Sequence, residues 1–406
     1  MHFIPILSTL RRHKTAALLV VLEIALTCAI VCNAVFLIRN RLQRMDKPSG
    51  VAESELVDFR IAGIGVKKDA MAQTAQDMAA LRAIPGVKLV ASTNMIPLGG
   101  SSWNNDVSLN PDQTGATNAA LYVGTDDLVE TLGVRLIAGR DFTADEYQDF
   151  DDVMKEKAHY GSVIVTKGLA ERMFPGQNAL GKQVYTWGKK QSQTIVGIVE
   201  RLARPNDVNG VEITDCAFIA PVRTPYTIGS HYLMRVEPGR GHQVLAQAET
   251  SLMKLDPARL VLDKKTFAEV RADYFKQDRA MAFLLVGVSL LLLVITGLGI
   301  VGLASFWVQQ RTRQIGIRRA LGATRTNILH YFQLENFILA SIGIVLGMVL
   351  AYTMNLWLMH KYQVPRLPGT FLPIGAVLLW GLGQLAVLGP ALRAAMIAPA
   401  TATRSI

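Results

Sequence analysis

The chain has 406 residues, half of them hydrophobic and only 18% charged, with a mean hydropathy of +0.27. Soluble domains carry about 25% charged residues, so an ordinary soluble protein is excluded, as are a disordered chain by the apolar content and a disulfide scaffold by the three cysteines. The net charge of +10 does not mark a nucleic-acid surface: Arg39 to Arg279 holds 30 basic and 30 acidic residues, and the remainder holds 12 basic residues against Glu23 and Glu335. The whole excess therefore flanks apolar stretches, the pattern of a membrane protein whose basic loops stay inside.

Residues 1–14 form a short basic lead containing Arg11, Arg12 and Lys14. A bilayer core takes about 20 helical residues, and four segments meet that length, at residues 15–38, 282–307, 328–358 and 371–390. The first is too long for a signal-peptide core, and no small-residue cleavage site follows Phe36. Between the first two spans, residues 39–281 read as an α+β domain with a stalk. Strands are predicted at Ser162–Thr166, Gln193–Val199, Asp215–Pro221 and His231–Val236, with a last one over Asp256–Leu262. Helices are predicted at Ala70–Ile84 and His242–Leu255, and from Thr266 an uninterrupted helical pattern leads into the second span.

Residues 308–327, with Arg311, Arg313, Arg318, Arg319 and Arg325 and no acid, separate the second and third spans. A loop at 359–370 joins the third and fourth, and a tail at 391–406 carries Arg393 and Arg404. Placing the lead, the arginine linker and the tail in the cytoplasm requires an even number of spans, which four satisfies. Arg39, Arg41, Arg44 and Lys47 lie on the opposite side and disagree, but the five-arginine linker outweighs them.

Catalytic patterns are few. Gly176 to Gln183 comes within one residue of a phosphate-binding loop. Gln183, however, replaces the magnesium-binding hydroxyl, and the segment before it is helical and closed by Pro175, so a turn before a strand is the reading. The histidines are scattered, Cys28 and Cys32 sit on adjacent turns of a membrane helix, and Cys216 has no partner cysteine in its domain. The expectation is no catalytic, metal or cofactor site. Within the spans, Glu23 is either a relay group or a helix-packing group, and Gly343 and Gly347 form a G-x-x-x-G that permits close helix contact within the chain or between chains. The linker itself is basic and partly apolar, which suits either a lipid-resting topology signal or a docking element for another protein.

The linker Arg311-Thr-Arg-Gln-Ile-Gly-Ile-Arg-Arg-Ala-Leu-Gly-Ala323 resembles the pattern R-T-R-E-I-G-I-R-R-A-L-G-A of FtsX/MacB-type ABC transporter permeases. Pro97-Leu-Gly-Gly-Ser-Ser-Trp103, Leu132 to Phe142, Glu171 to Lys182 and Ile195 to Val199 resemble that family's outer domain, and Pro390 to Pro399 resembles its C-terminal motif. The resemblance implies one span, a MacB-like periplasmic domain with a smaller inserted lobe near Tyr122–Arg201, then three spans, in a bacterial inner membrane with both termini cytoplasmic. It implies that Arg311, Arg313, Gln314, Ile315, Gly316, Ile317, Arg318, Arg319, Leu321 and Gly322 couple the chain to a separate cytoplasmic ATPase dimer that binds the ATP-Mg, since residues 1–14 are too short for a fused one. It further implies a transmission stalk at Glu269–Asp278, a second permease copy or a paralogue, and a periplasmic adaptor with an outer-membrane channel. The implied role is export by mechanotransmission; family members that regulate a cell-wall hydrolase or release lipoproteins share the plan. Gln314 stands where the family has Glu, and Ala398 where it has Asp or Asn, departures that favour a heterodimer with a partner keeping the usual residues.

Overall fold

The computed structural model describes residues 14–63, 69–112, 117–186, 191–206, 215–362 and 366–397. It divides into a membrane unit, residues 1–46 and 277–406, and an outer unit, residues 47–276. Arg11, Arg12, Ala398 and Arg404 lie outside the described residues.

In chain order the elements are α1 (Lys14–Met45), β1 (Leu56–Gly63), α2 (Ala70–Arg82), β2 (Val87–Thr93), β3 (Asn104–Val107), β4 (Thr117–Val123), α3 (Leu128–Leu132), β5 (Leu136–Gly139), β6 (Gln148–Asp149), α4 (Phe150–Met154), β7 (Ser162–Thr166), α5 (Lys167–Met173), β8 (Gln183–Tyr185) and β9 (Ser192–Val199). The chain continues with β10 (Ala217–Ala220), β11 (Val222–Arg223), β12 (His231–Val236), α6 (Gly241–Leu255), β13 (Arg259–Thr266), α7 (Phe267–Tyr274), α8 (Lys276–Gln310), α9 (Thr312–Ala320), α10 (Arg325–Tyr362) and α11 (Phe371–Ala395).

Among the described residues the outer unit holds three sheets, one of them only the short parallel pair β6 and β11. The first is antiparallel in the order β13-β1-β12-β2, with α2 and α6 packed on one face: Val57, Phe59, Ile61, Val90 and Met234 meet Met78, Leu81, Val244 and Leu252 in one core. Inside that core Arg259 reaches Asp77 (2.7 Å), whose other oxygen accepts from the Tyr232 hydroxyl (2.7 Å). The second sheet runs β3-β4-β10-β7-β9-β5, with β8 on β9, and is entered between β2 and β12 of the first. The inserted lobe thus begins at Asn104 and reaches Ala220, wider than the expected Tyr122–Arg201, because β3 pairs with β4 and β10 lies between β4 and β7, pairings that no local pattern reveals. The segment resembling a phosphate loop is the turn between α5 and β8.

Two sequence expectations need correction here. The last strand is Arg259–Thr266 rather than Asp256–Leu262, because its register is set by pairing with β1. The stalk is not one uninterrupted helix: a capping box between Thr266 and Glu269 starts α7, but α7 stops at Tyr274. Phe275 (φ −91°, ψ 10°) buries its ring edge-on to Tyr274 at 4.8 Å and beneath the Arg271 guanidinium, and holding it there costs one helical residue. Arg271 also donates to Glu53 (2.7 Å) and to the Lys47 carbonyl (2.7 Å), fastening the two chain ends of the outer unit to each other.

Acid should loosen one corner of this unit. Arg140 donates to both Glu146 oxygens (2.6 and 3.0 Å) and the Thr143 amide adds a third bond, holding the Glu146 carboxyl down to about 2 from its ordinary 4.5. A depressed folded value gives stability that is full above pH 4.5 and lost as pH falls toward 2. Because Arg140 is half exposed, screening leaves about 1–2 kcal/mol at neutral pH. Glu146→Gln should therefore speed amide exchange around Thr143 at pH 7 and leave it alike in both proteins at pH 2; equal exchange at pH 7 would sink the assignment.

In the membrane unit α1, α8, α10 and α11 are each long and apolar enough to cross a bilayer. They overrun the predicted spans, and α11 continues through Pro390 to Ala395 rather than ending there. α1 is the most enclosed, with 56% of its most apolar stretch buried against 11% for α8, so α1 forms the centre and α8 the outside. The G-x-x-x-G of α10 packs against α1 within the chain. A Cβ on Gly343 would stand 2.8 Å from the Ile24 Cβ, and one on Gly347 2.5 Å from the Cys28 Cβ. Gly375 of α11 admits the Cys32 sulfur in the same way. Asn33 donates to the Ala351 carbonyl (3.1 Å), and Thr27 meets Thr296 at 2.8 Å. Glu23 lies over Gly299 of α8, its Oε2 2.5 Å from where a Cβ would be, and among the described residues it makes no hydrogen bond. The discordant basic cluster after the first span has local partners: Arg41 and Arg44 pair with Asp278, and Arg39 lies over the Phe371 ring.

Candidate functional site

α8 ends at Gln310, the chain turns at Arg311 (φ −104°, ψ 9°), and α9 runs two and a half turns before Gly322 (φ 95°) stops it. Thr324 then caps α10 by accepting from the Asn327 amide (3.2 Å). Arginines at this spacing must point to both faces of a short helix, and they do two different jobs.

One set faces inward. Ile315, 4% exposed, packs with Val308, Ile328, Phe332, Ala391 and Ala394, and Gly316 is buried beside it. Arg311, at the start of α9, donates to both oxygens of Glu335 on α10 (3.0 and 2.8 Å), with the Trp307 ring 5.4 Å below its guanidinium. Arg319 donates to the Ala395 and Ile397 carbonyls (3.1 and 2.8 Å), satisfying acceptors that the end of α11 leaves open. These residues hold α9 against α10 and α11 and are not free to meet a partner.

The other set faces outward. Arg313, Gln314, Ile317, Arg318, Leu321 and Gly322 are exposed, Leu321 at 83%. Arg318 rests over the Tyr331 ring at 4.9 Å. Beside this strip opens a cavity of about 660 Å³ lined by Arg318, Leu321, Asn327, His330, Tyr331 and Leu334, among others. A basic, partly apolar ridge next to a cavity suits docking to a protein with acidic and apolar groups. It has no nucleophile–base pair, and no metal-holding cluster occurs among the described residues.

The sequence presents this segment as one basic strip, without its two faces and without Glu335, Trp307 and Tyr331 as its neighbours. A signal for Glu335 existed, since it is one of two acids in the membrane-flanking segments. Its partner could not be read from spacing 24 residues away.

Two family models match. The MacB-like periplasmic core domain covers residues 18–252, and the FtsX-like permease C-terminal region covers residues 286–399. The chain belongs to the MacB-like, FtsX-type permease family. It is thus a permease with a MacB-like periplasmic domain between its first membrane helix and the remaining three. Among relatives of this permease, the macrolide export ATP-binding/permease protein MacB of Neisseria meningitidis serogroup A is 24% identical over 400 residues, covering 95% of this chain and 58% of that protein. The chain therefore spans little more than half the length of that relative. The ABC transporter permease YvrN of Bacillus subtilis is 22% identical over 302 residues, covering 72% of this chain and 71% of YvrN. The periplasmic region of MacB from Actinobacillus actinomycetemcomitans overlays 57% of this chain and 97% of its own at 16% identity, with a TM-score of 0.32, a superposition too loose to argue from.

Proposed function

We propose that this permease is the membrane subunit of an ATP-driven exporter in a bacterial inner membrane, docked through α9 to a separate cytoplasmic ATPase dimer that binds ATP-Mg. The observation that carries the proposal is the outward strip of Arg313, Gln314, Ile317, Arg318 and Leu321 on a helix anchored from its other face. In this reading both termini and α9 are cytoplasmic, the outer unit is periplasmic, and hydrolysis moves that unit rather than opening a channel. A second copy or a paralogous permease completes the dimer. Gln314, exposed where the family has Glu, supports the paralogue. A periplasmic adaptor and outer-membrane channel complete the route.

Purifying the tagged chain gently from its native membrane tests the whole reading. An ATPase arriving with an adaptor and a sister permease is the expected result. An ATPase with a cell-wall hydrolase or a lipoprotein carrier would move the function to one of those family roles, and no ATPase would overturn the docking assignment.

Ile317→Glu tests the site itself. The side chain is 47% exposed, so a carboxylate there is solvated in the free chain and meets the docking partner only in the complex. Membrane insertion should be unchanged and recovery of the ATPase should fall about tenfold or more. Undiminished recovery would remove Ile317 from the interface. Gly316, being buried, would report on packing instead.

A further inference from the structure

A helix that docks an ATPase must pass its displacement to something, and α9 is continuous in sequence with α8 on one side and α10 on the other. The side-chain contacts around Arg311 reach both, since its guanidinium lies over the Trp307 ring of α8 and donates its hydrogen bonds to Glu335 of α10. Arg311 is 8% exposed and Glu335 1%, and a single guanidinium nitrogen donates to both carboxylate oxygens. Arg318 adds a second tie to α10 through the Tyr331 ring. α8, by contrast, is the least enclosed of the four membrane helices. α10 in turn lies against α1 with no slack, since Gly343 and Gly347 leave no room for even a methyl group between the two.

A buried ion pair is a poor source of stability, because replacing both partners with apolar groups of similar size is often neutral or better. What it supplies is a fixed relative position. The pair also sits beside a small cavity of about 20 Å³, bordered by Trp307, Glu335 and Asn336.

We propose that the Arg311–Glu335 pair is the joint through which movement of α9 is delivered to α10, and from α10 through its glycine contact to α1. Arg311 and Glu335 are positioning residues: neither faces the docking partner. This inference rests on the coupling role proposed for α9.

The test uses the full chain with its co-purified ATPase, reconstituted in lipid bilayers. The double variant Arg311→Met/Glu335→Met keeps an apolar contact and removes the bond. It should insert, recover the ATPase normally and leave the KM for ATP unchanged, while kcat of the embedded complex falls about tenfold or more. Arg311→Lys, which retains the charge but not the guanidinium geometry, should fall between wild type and the double variant. A double variant with wild-type kcat would overturn the joint, and so would one that loses the ATPase in proportion to its activity, which would make the pair part of docking. If the double variant fails to insert, Arg311→Lys decides alone: wild-type kcat in that variant overturns the joint. Failure of the wild-type chain to recover any ATPase would be recognisable without a variant, and would remove the coupling role and the joint together.

Discussion

Arg259→Met should be among the most damaging single substitutions in the outer unit, lowering its stability by about 3–5 kcal/mol. Asp77, on the inner face of α2, is fully buried, with Arg259 at 2.7 Å and the Tyr232 hydroxyl at 2.7 Å. Removing the cation leaves a carboxylate that water cannot reach, with only a phenol to hydrogen-bond it. Burial already pushes the Asp77 carboxyl up, against the opposing pull of Arg259 and Tyr232. Losing Arg259 should push it further, so the variant folds better as pH falls below neutral, where the acid enters the core uncharged. Replacing both partners, Asp77→Leu with Arg259→Met, should recover most of the loss, because the apolar pair needs no partner. Amide exchange in β1 and β12 of the full chain, measured at pH 7 and pH 5, checks all three statements. Protection equal to wild type in Arg259→Met at pH 7 would show that the pair contributes nothing.

The second large effect is expected in the membrane unit. Gly347→Val should separate α10 from α1 and cost about 2–3 kcal/mol. A Cβ at Gly347 would stand 2.5 Å from the Cys28 Cβ and 2.7 Å from the Ala25 carbonyl oxygen, and neither is the far end of a flexible side chain. Only movement of a whole helix can relieve that contact. Gly302→Ala is the control: nothing lies within 4 Å of its Cβ position, and alanine favours the helix by about 0.5–1 kcal/mol. Thermal unfolding in one detergent should place the valine variant below wild type and the alanine variant at or above it. Identical midpoints for the two variants would mean that the crossing is not close-packed.

Both effects depend on contacts between residues far apart in sequence, and that marks the limit of what a linear reading could find. Gly343 and Gly347 were visible as a motif, but a G-x-x-x-G says only that a helix can approach something closely. That it approaches Ile24 and Cys28 of the same chain depends on how four helices pack together. Arg311 looked the same as Arg313 in the linker. The two differ because one faces Glu335, a residue 24 positions away, and the other faces outward. The stalk read as a single helix because no proline or glycine interrupts it. The break at Phe275 comes from burial of its ring, a tertiary demand that outweighs local helix propensity.

By itself the sequence determined that this chain crosses a membrane four times, with one large domain after the first crossing and a basic linker between the second and third. Those features are local sums of hydropathy, charge and period, which tertiary context hardly alters. Tertiary structure alone decided which face of the linker helix is anchored, where the inserted lobe begins and which helix the glycines serve. Each of these depends on which distant residue becomes a neighbour, and that is set by packing and strand pairing rather than by any property of the segment itself.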